Sequence, residues 1–232
     1  MSKNGVIFWD FDGTLGHRNG FFSEVLIEVL DEYEPGHGAH VQDIRSFLRG
    51  GFPWHSPGKA HSDLSEPSAW WAFVERSFVR AFEGIGLSPE PASRYAGLAH
   101  ARYIDADRFE LYADTEGVLK TFVRTGWTNV ILSNHVPELP AIVRALGLDR
   151  YVRDCISSAN VGFEKPNPAI FELAMIRSGN PSTVWMVGDN IDADVNGAEQ
   201  FGIPAILVRR PDPGEAKRFA ATLYDTIPYI SP

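Results

Sequence analysis

The run VIFWDFDGT at residues 6–14 decides the fold of this chain, because an apolar segment is followed at once by two acidic residues and a turn. Residues 6–9 form a short apolar run of the kind that makes a buried strand. Asp10 and Asp12 follow this run, and the glycine and threonine behind them predict an abrupt turn. Two carboxyl groups presented at a strand end indicate one nucleophile and one proton carrier.

Beyond residue 114, short apolar runs alternate with segments of helical periodicity. Strands are predicted at 130–132, 152–156, 184–187 and 205–208, and helices at 136–146, 168–177 and 193–201. Strands that alternate with helices form a parallel sheet covered on both faces and joined by right-handed crossovers. The alternation therefore predicts an α/β fold.

The stretch between the first strand and this α/β region has a different pattern. Helical spacing of apolar residues occurs at 22–33, 41–49, 67–82 and 89–104, and no strand pattern separates these segments. We therefore predict an all-helical insert over residues 16–113, above the strand ends. The core domain is then expected to comprise residues 1–15 and 114–232.

Composition and charge restrict the class of partner. The chain has 232 residues and a formal net charge of −9, so neither nucleic acid nor an anionic membrane surface is expected as its partner. An anionic substrate would have to be held by local charges or by a metal. The lone cysteine, Cys155, has no partner for an internal disulfide and is expected in the core of its strand. Because the sequence shows neither a signal-like start nor a membrane span, we expect a cytoplasmic protein; the sequence does not indicate its oligomeric state.

Three further polar patches follow predicted strands or begin just beyond one. They are Ser133-Asn134, Lys165-Pro166-Asn167-Pro168 and the run GDNIDAD at residues 188–194. In a parallel α/β sheet, ligands collect where the carboxyl ends of the strands meet. These patches and the first one are therefore predicted to form a single site.

In this order and strand context, the four patches resemble the motifs of the haloacid-dehalogenase-like (HAD) hydrolase superfamily, and the resemblance covers essentially the whole chain. It implies a Rossmann-like core and a mobile helical cap of the C1 type, inserted behind the first motif. The short span 134–164 leaves no room for the larger cap type of that family. The resemblance points to the phosphatase branch of the superfamily.

The two acids of the first motif fit the chemistry of phosphate esters. A phosphate ester resists attack by an anion, so a site must neutralise charge and hold the attacking atom in line. Asp10 is the candidate nucleophile, which would form an acyl-phosphate. Asp12 would protonate the leaving oxygen and then deprotonate the water that releases phosphate. The alternative is that both aspartates only cap the following turn.

Two acids of the last motif predict a metal site. Asp189 and Asp194 add oxygen donors beside Asp10, and Mg²⁺ prefers such ligands. By resemblance, Asp10 through its side chain and Asp12 through its backbone carbonyl complete the coordination. Asp192 is interpreted as an acid at a helix N-terminus, although its role stays open.

The two middle patches are expected to bind the phosphoryl group. Lys165 would pair with the substrate phosphate and with the Asp10 carboxylate as a compact point charge. Ser133 through its hydroxyl and Asn134 through its backbone N–H would contact the phosphoryl oxygens. Read alone, the lysine could be a surface residue and the serine a turn residue.

The predicted cap carries candidate specificity residues. A glycine- and proline-rich loop at residues 50–61 contains Trp54, His55 and Lys59, which could cover an organic leaving group, and His17 lies just behind the first turn. The competing interpretation is that Trp54 packs with Trp70 and Trp71 in the core of the cap, and that His17 lines the hinge.

These residues together predict a magnesium-dependent phosphatase acting on a small phosphorylated metabolite. A 2-haloacid dehalogenase of the family lacks the second aspartate, so Asp12 argues against that activity. A phosphonate-cleaving relative would need a cap lysine, which keeps Lys59 in consideration. A phosphosugar mutase shares all four motifs, and a non-catalytic binding or regulatory protein on the same scaffold is the alternative from another class.

Overall fold

The computed structural model describes residues 5–210, 214 and 216–231, and it places a parallel sheet at the centre of the fold. The strands are β1 Gly5–Trp9, β2 Gly16–Arg18, β3 Phe109–Leu111, β4 Trp127–Ser133, β5 Val152–Ser157, β6 Val184–Gly188, β7 Ala205–Val208 and β8 Phe219–Ala220. Within the described ranges, one six-stranded sheet has the order β5-β4-β1-β6-β7-β8, and every neighbouring pair is parallel.

Helices flank this sheet and fill the long segment between β1 and β4. They are α1 Phe22–Tyr33, α2 Val41–Leu48, α3 Pro67–Gly84, α4 Pro89–Tyr103, α5 Thr115–Arg124, α6 Leu139–Ala145, α7 Pro168–Arg177, α8 Gly197–Phe201 and α9 Ile227–Ile230. The predicted α/β fold with a parallel sheet is thus confirmed. Nowhere in the part of the chain described is a helix both long enough and apolar enough to cross a bilayer.

Strand β1 lies in the middle of the sheet because its side chains are apolar on both faces. Ile7 and Trp9 pack in one hydrophobic cluster, and Val6 and Phe8 pack in the other. Successive residues of a strand point to opposite faces, so an unbroken apolar run suits a strand that is buried on both sides. Asp10 therefore emerges at the centre of the carboxyl edge of the sheet.

The predicted strands after residue 114 are all present, and the helix at 168–177 has the predicted bounds. Helix α6 begins only at Leu139 rather than at 136. The helix predicted at 193–201 is divided into a π-helical turn at Ile191–Asn196 and the short α8. The side chain of Asn190 starts this turn by accepting the backbone N–H groups of Asp192 and Ala193 at 3.0 and 2.9 Å.

The span predicted as an all-helical insert contains α1 to α4 and also two short strands. Strand β2 pairs antiparallel with β3, so the chain is strand-like where the span begins and again near its end. Each strand has three residues, which is too short to produce a recognisable alternation in the sequence. The domain bounds 1–15, 16–113 and 114–232 stay a prediction, and residues 1–4, 211–213, 215 and 232 lie outside the described residues.

Candidate active site

The turn behind β1 presents Asp10 and Asp12 at the edge of the sheet. The backbone N–H groups of Thr14, Leu15 and Gly16 all approach the carbonyl oxygen of Phe11 within 3.2 Å, which closes the turn tightly. Gly13 has a φ of +80°, and a Cβ atom there would lie 2.3 Å from Oδ2 of Asp189. Only glycine fits this position without displacing that carboxylate.

Three buried carboxyl groups converge above the turn. Asp10, Asp189 and Asp194 each offer an oxygen, and these oxygens lie within 4.8 Å of one another. A Cβ atom on Gly188 would lie 2.1 Å from the carboxylate of Asp194, so this glycine leaves the space that the carboxylate needs. Asp192 lies outside the cluster: its side chain is exposed and accepts a hydrogen bond from Nδ2 of Asn196 at 3.2 Å.

Lys165 places a positive charge inside this cluster. Its Nζ donates to Oδ1 of Asp10 at 2.8 Å and to Oδ1 of Asp194 at 2.5 Å. Burial disfavours the ammonium charge, but attraction to both carboxylates outweighs this effect and raises the pKa of Lys165 above its usual value. The lysine therefore stays charged and links the first motif to the last.

The three carboxylates carry more negative charge than Lys165 offsets. Burial raises the pKa of Asp194 to about 7, and repulsion from Asp10 adds to the effect that Lys165 opposes. Burial, followed by the charge of Asp10, also raises the pKa of Asp189, although Nε of Arg210 donates to its Oδ2 at 2.6 Å. Oxygen donors with excess negative charge suit a hard divalent cation, so the residues present fit a magnesium site.

Asp12 contacts a buried histidine that the sequence reasoning did not consider. His135 is 2% exposed, and its Nε2 lies 3.3 Å from Oδ2 of Asp12. The side chain of Asp12 is 27% exposed, and it lines the cavity above the sheet. The sequence could have indicated His135 as a site residue, because it lies two residues after Ser133 in the loop that follows β4.

Ser133 ends strand β4 and Asn134 begins the loop behind it, and the two side chains are held differently. The hydroxyl oxygen of Ser133 is buried and has no hydrogen-bond partner among the described residues, although the residue lines the cavity. Asn134 binds the backbone of Lys165 twice: Nδ2 donates to its carbonyl at 2.8 Å, and Oδ1 accepts its N–H at 2.7 Å. The Asn134 side chain thus fixes the loop of Lys165, and only its backbone remains for the predicted phosphoryl contact.

A cavity of about 1090 Å³ lies above the carboxylate cluster. Of the predicted specificity residues, His17, Trp54 and His55 line it, whereas Lys59 does not. Trp54 also stacks on Phe52, with ring centroids 4.8 Å apart, and its ring lies 5.8 Å from that of Trp70. Residues 16–113, which contain α1 to α4, are called the helical span below. Trp54 therefore belongs both to the aromatic packing of the helical span and to the cavity wall.

Comparison with curated proteins finds relatives of two activities. A phosphoserine phosphatase from Thermus thermophilus is 37% identical over 150 residues, which cover 62% of this chain and 59% of that protein. A glyceraldehyde 3-phosphate phosphatase from Methanopyrus kandleri is 30% identical over 205 residues, covering 80% and 83%. An (S)-2-haloacid dehalogenase from a Pseudomonas species is 32% identical over 154 residues, covering 65% of each chain. The match to the Thermus protein spans about three fifths of its length.

Solved structures of a dehalogenase and of a phosphatase share the fold. A 2-haloacid dehalogenase from Pseudomonas syringae has a TM-score of 0.69 at 21% identity and covers 97% of this chain and 96% of its own. A HAD phosphatase from Thermococcus onnurineus has a TM-score of 0.64 at 23% identity and covers 97% of both chains. The family model of haloacid dehalogenase-like hydrolases matches residues 5–202. This chain therefore belongs to the haloacid dehalogenase-like hydrolases.

Proposed function

We propose that the chain is a magnesium-dependent phosphatase that hydrolyses a small phosphorylated metabolite through an aspartyl-phosphate on Asp10. The observation that carries the proposal is the second carboxyl group, Asp12, which lines the same cavity as the cluster of Asp10, Asp189 and Asp194. A departing alkoxide needs a proton, whereas a departing halide does not. A partly exposed acid beside the nucleophile therefore favours phosphate esters over haloacids.

We propose the following roles for the residues of the cavity. A carboxylate oxygen of Asp10 forms a bond to phosphorus while the ester P–O bond breaks, and Asp12 gives its proton to the leaving oxygen. Water then attacks phosphorus of the aspartyl-phosphate and gives a proton to Asp12, which releases phosphate and restores Asp10. Lys165 holds the Asp10 carboxylate and offsets the charge of the incoming phosphate.

The hydroxyl of Ser133 is the second candidate contact to the phosphoryl group. It is buried at the cavity without a hydrogen-bond partner in the described part of the chain, and an unpaired polar atom of this kind is costly unless a ligand pairs with it. The backbone N–H of Asn134 belongs to the next residue, at the start of the loop that follows β4. We propose that both groups donate to phosphoryl oxygens.

The metal fits the acidic side of the same cavity. Asp10, Asp189 and Asp194 would hold Mg²⁺ by their side chains, with the backbone carbonyl of Asp12. When bound, Mg²⁺ would offset the charge of the phosphate beside these carboxylates. Lys165 donates to Asp194 and Arg210 donates to Asp189, and these hydrogen bonds hold the two carboxylates in place.

The helical span provides the other wall of the cavity, so we propose that it acts as a cap that excludes water and selects the substrate. His17, Trp54 and His55 are the proposed specificity residues, because each lines the cavity. Lys59 lies outside the cavity lining, which leaves a phosphonate-cleaving activity through a cap lysine without support. A mutase would differ only in which hydroxyl accepts the phosphoryl group.

The test is phosphate release over a panel of sugar phosphates, phosphoglycolate-like acids, phosphoserine and nucleoside monophosphates. Activity should require Mg²⁺, stop on chelation and be abolished in Asp10→Asn. Halide release from 2-haloacids, assayed in parallel, should be absent. Phosphate release that survives both the chelator and Asp10→Asn, or halide release without phosphate release, would contradict the proposed function.

A further inference from the structure

His135 is a buried titratable residue that none of the proposed catalytic steps uses. Its ring packs edge-on against Phe11, with centroids 5.7 Å apart, and lies 5.9 Å from the ring of Phe109. Neither ring nitrogen has a hydrogen-bond partner among the described residues. Burying a polar ring in an aromatic cage without a partner is unfavourable, so the position calls for a polar function.

The carboxyl group of Asp12 lies beside this ring. Nε2 of His135 lies 3.3 Å from Oδ2 of Asp12, close enough for an ion pair, although the N–H is not aligned with the oxygen. Alignment of the two atoms would require the Asp12 side chain to rotate. The aromatic cage prevents the imidazole from moving away, and the hydroxyl groups of Ser157 and Ser158 bond to the backbone of His135. The histidine is therefore the enclosed partner, and the carboxyl group is the more exposed one.

We propose that His135 is a positioning residue that holds the Asp12 carboxyl group by an Nε2–H to Oδ2 hydrogen bond during proton transfer. This proposal rests on the proposed function, in which Asp12 protonates the leaving oxygen. A partly exposed aspartate has freedom about its side-chain bonds, and proton transfer depends on a fixed donor geometry. His135 also lines the cavity, but in this role it acts through Asp12 and not directly on the substrate.

The test compares substrates that differ in their need for a proton. In His135→Leu, kcat/KM should fall about 10- to 100-fold for an alkyl phosphate, whose leaving oxygen must be protonated. For 2,4-dinitrophenyl phosphate, whose leaving group departs as an anion, kcat/KM should change less than about threefold. His135→Gln keeps an N–H donor near the Nε2 position and should recover most of the alkyl phosphate activity.

Two controls separate positioning from damage to the fold. Val143→Ala removes packing from helix α6, and its loss of kcat/KM, if any, should be equal for both substrates. In the Asp12→Asn variant, adding His135→Leu should cause no further loss of kcat/KM, because a residue that acts through Asp12 then has no carboxyl group to position. Equal losses on both substrates in His135→Leu, or a further loss in the double variant, would overturn the proposal. Absence of phosphate release by the wild type would instead contradict the proposed function itself.

Helix α2 carries a second, independent feature. Gln42, Arg45 and Ser46 share one face of this helix, Arg49 follows its last residue, and all four line the cavity. On the opposite face, Ile44 is buried in the hydrophobic core. The cavity is thus acidic on the side of the sheet, where the carboxylates lie, and cationic on the side of α2.

The two arginines differ in their partners. Nη2 of Arg45 pairs with Oε1 of Glu24 at 2.8 Å, whereas Arg49 has no acidic partner among the described residues. A guanidinium that faces a cavity without a counter-ion suits an anionic group of a ligand. We propose that Arg49 binds a carboxylate on the leaving group, so that the substrate is a phosphate ester with a second anion. This proposal also rests on the proposed function.

The matched substrates are 3-phosphoglycerate and glycerol 3-phosphate, which differ by a carboxylate and a hydroxymethyl group. The wild type should prefer the former, and Arg49→Gln should raise its KM about tenfold with little change for the latter, as expected for the loss of one charge-assisted hydrogen bond. Arg76→Gln, a change at another exposed arginine of the helical span, serves as the control. Turnover of phosphate esters without this preference, or an equal effect of Arg49→Gln on both substrates, would overturn the assignment. No turnover of any ester would contradict the proposed function.

Discussion

At the scale of single residues, Lys165 is the group whose loss should change the site most. In Lys165→Met, two buried carboxylates lose their shared cation, and the free energy of unfolding at pH 8 without Mg²⁺ should fall by about 3–5 kcal/mol. At pH 5 the loss should be smaller, because Asp194, whose pKa is already raised to about 7, is then protonated. Urea unfolding at both pH values measures this difference.

The matched control is Lys120→Met, which removes an exposed lysine from helix α5 and should leave stability within about 0.5 kcal/mol of the wild type. A Lys165→Met variant that is equally destabilised at pH 5 and pH 8 would show that its carboxylate neighbours do not carry the effect.

Glu164, the neighbour of Lys165, should contribute a pH-dependent stability of its own. Burial raises the pKa of Glu164 from 4.5 to about 7, while Ser158 and Lys165 oppose the shift. The native state then binds more protons than the unfolded chain between these two values, so stability should decrease as pH rises from 4.5 to 7. Glu164→Gln removes this contribution, which is roughly 2–3 kcal/mol.

Denaturant unfolding of the wild type and of Glu164→Gln, each at pH 5 and at pH 8, measures the effect. The quantity compared is the change in the free energy of unfolding between the two pH values. The wild type should lose more stability between these pH values than Glu164→Gln does. Other acids with raised pKa values, such as Asp189, titrate in both proteins and cancel. Parallel pH profiles would contradict the prediction.

At the scale of elements, the turn after β1 depends on Gly13 for two separate reasons. Gly13 has a positive φ of +80°, and a Cβ atom there would also collide with Asp189. Gly36 has a similar φ of +85°, but nothing lies within 4 Å of the Cβ position. Gly36→Ala should therefore lower the free energy of unfolding only by the cost of a positive φ in alanine, about 1 kcal/mol. Gly13→Ala should lower it more and also weaken Mg²⁺ binding.

Thermal unfolding with and without Mg²⁺ separates the two glycine variants. Gly36→Ala should retain the stabilisation by Mg²⁺ that the wild type shows, and Gly13→Ala should lose most of it because Asp189 is displaced. Equal stabilisation of the two variants by Mg²⁺ would mean that metal binding does not need the space that Gly13 leaves for Asp189.

The elements also show which parts of the fold a sequence can predict. The core strands were predictable because each is an apolar run bounded by turns, and α7 because Asn167 and Pro168 mark its start. The paired strands β2 and β3 were missed because three residues carry no periodicity. The contact of His135 with Asp12 was missed because it joins residues 123 positions apart, and only the fold brings such positions together.

At the scale of the whole molecule, the proposed metal site joins segments that lie far apart in the chain. Asp10 follows β1, whereas Asp189 and Asp194 follow β6, and their oxygens meet within 4.8 Å only in the folded protein. A ligand that binds only the native state stabilises it, by about 2.7 kcal/mol at a concentration 100 times its Kd. For a chain of this length the melting temperature should rise by roughly 5–10 °C.

Three variants decide which acids are responsible for this shift. Asp189→Asn should abolish it, and Asp194→Asn should weaken it more than Asp192→Asn, because Asp192 lies outside the carboxylate cluster and bonds to Asn196 instead. Differential scanning calorimetry over a Mg²⁺ titration measures the shift without depending on catalytic activity. A larger loss in Asp192→Asn than in Asp194→Asn would mean that the metal is held by a different face of the π-helical turn, and the proposed ligand set would then be wrong.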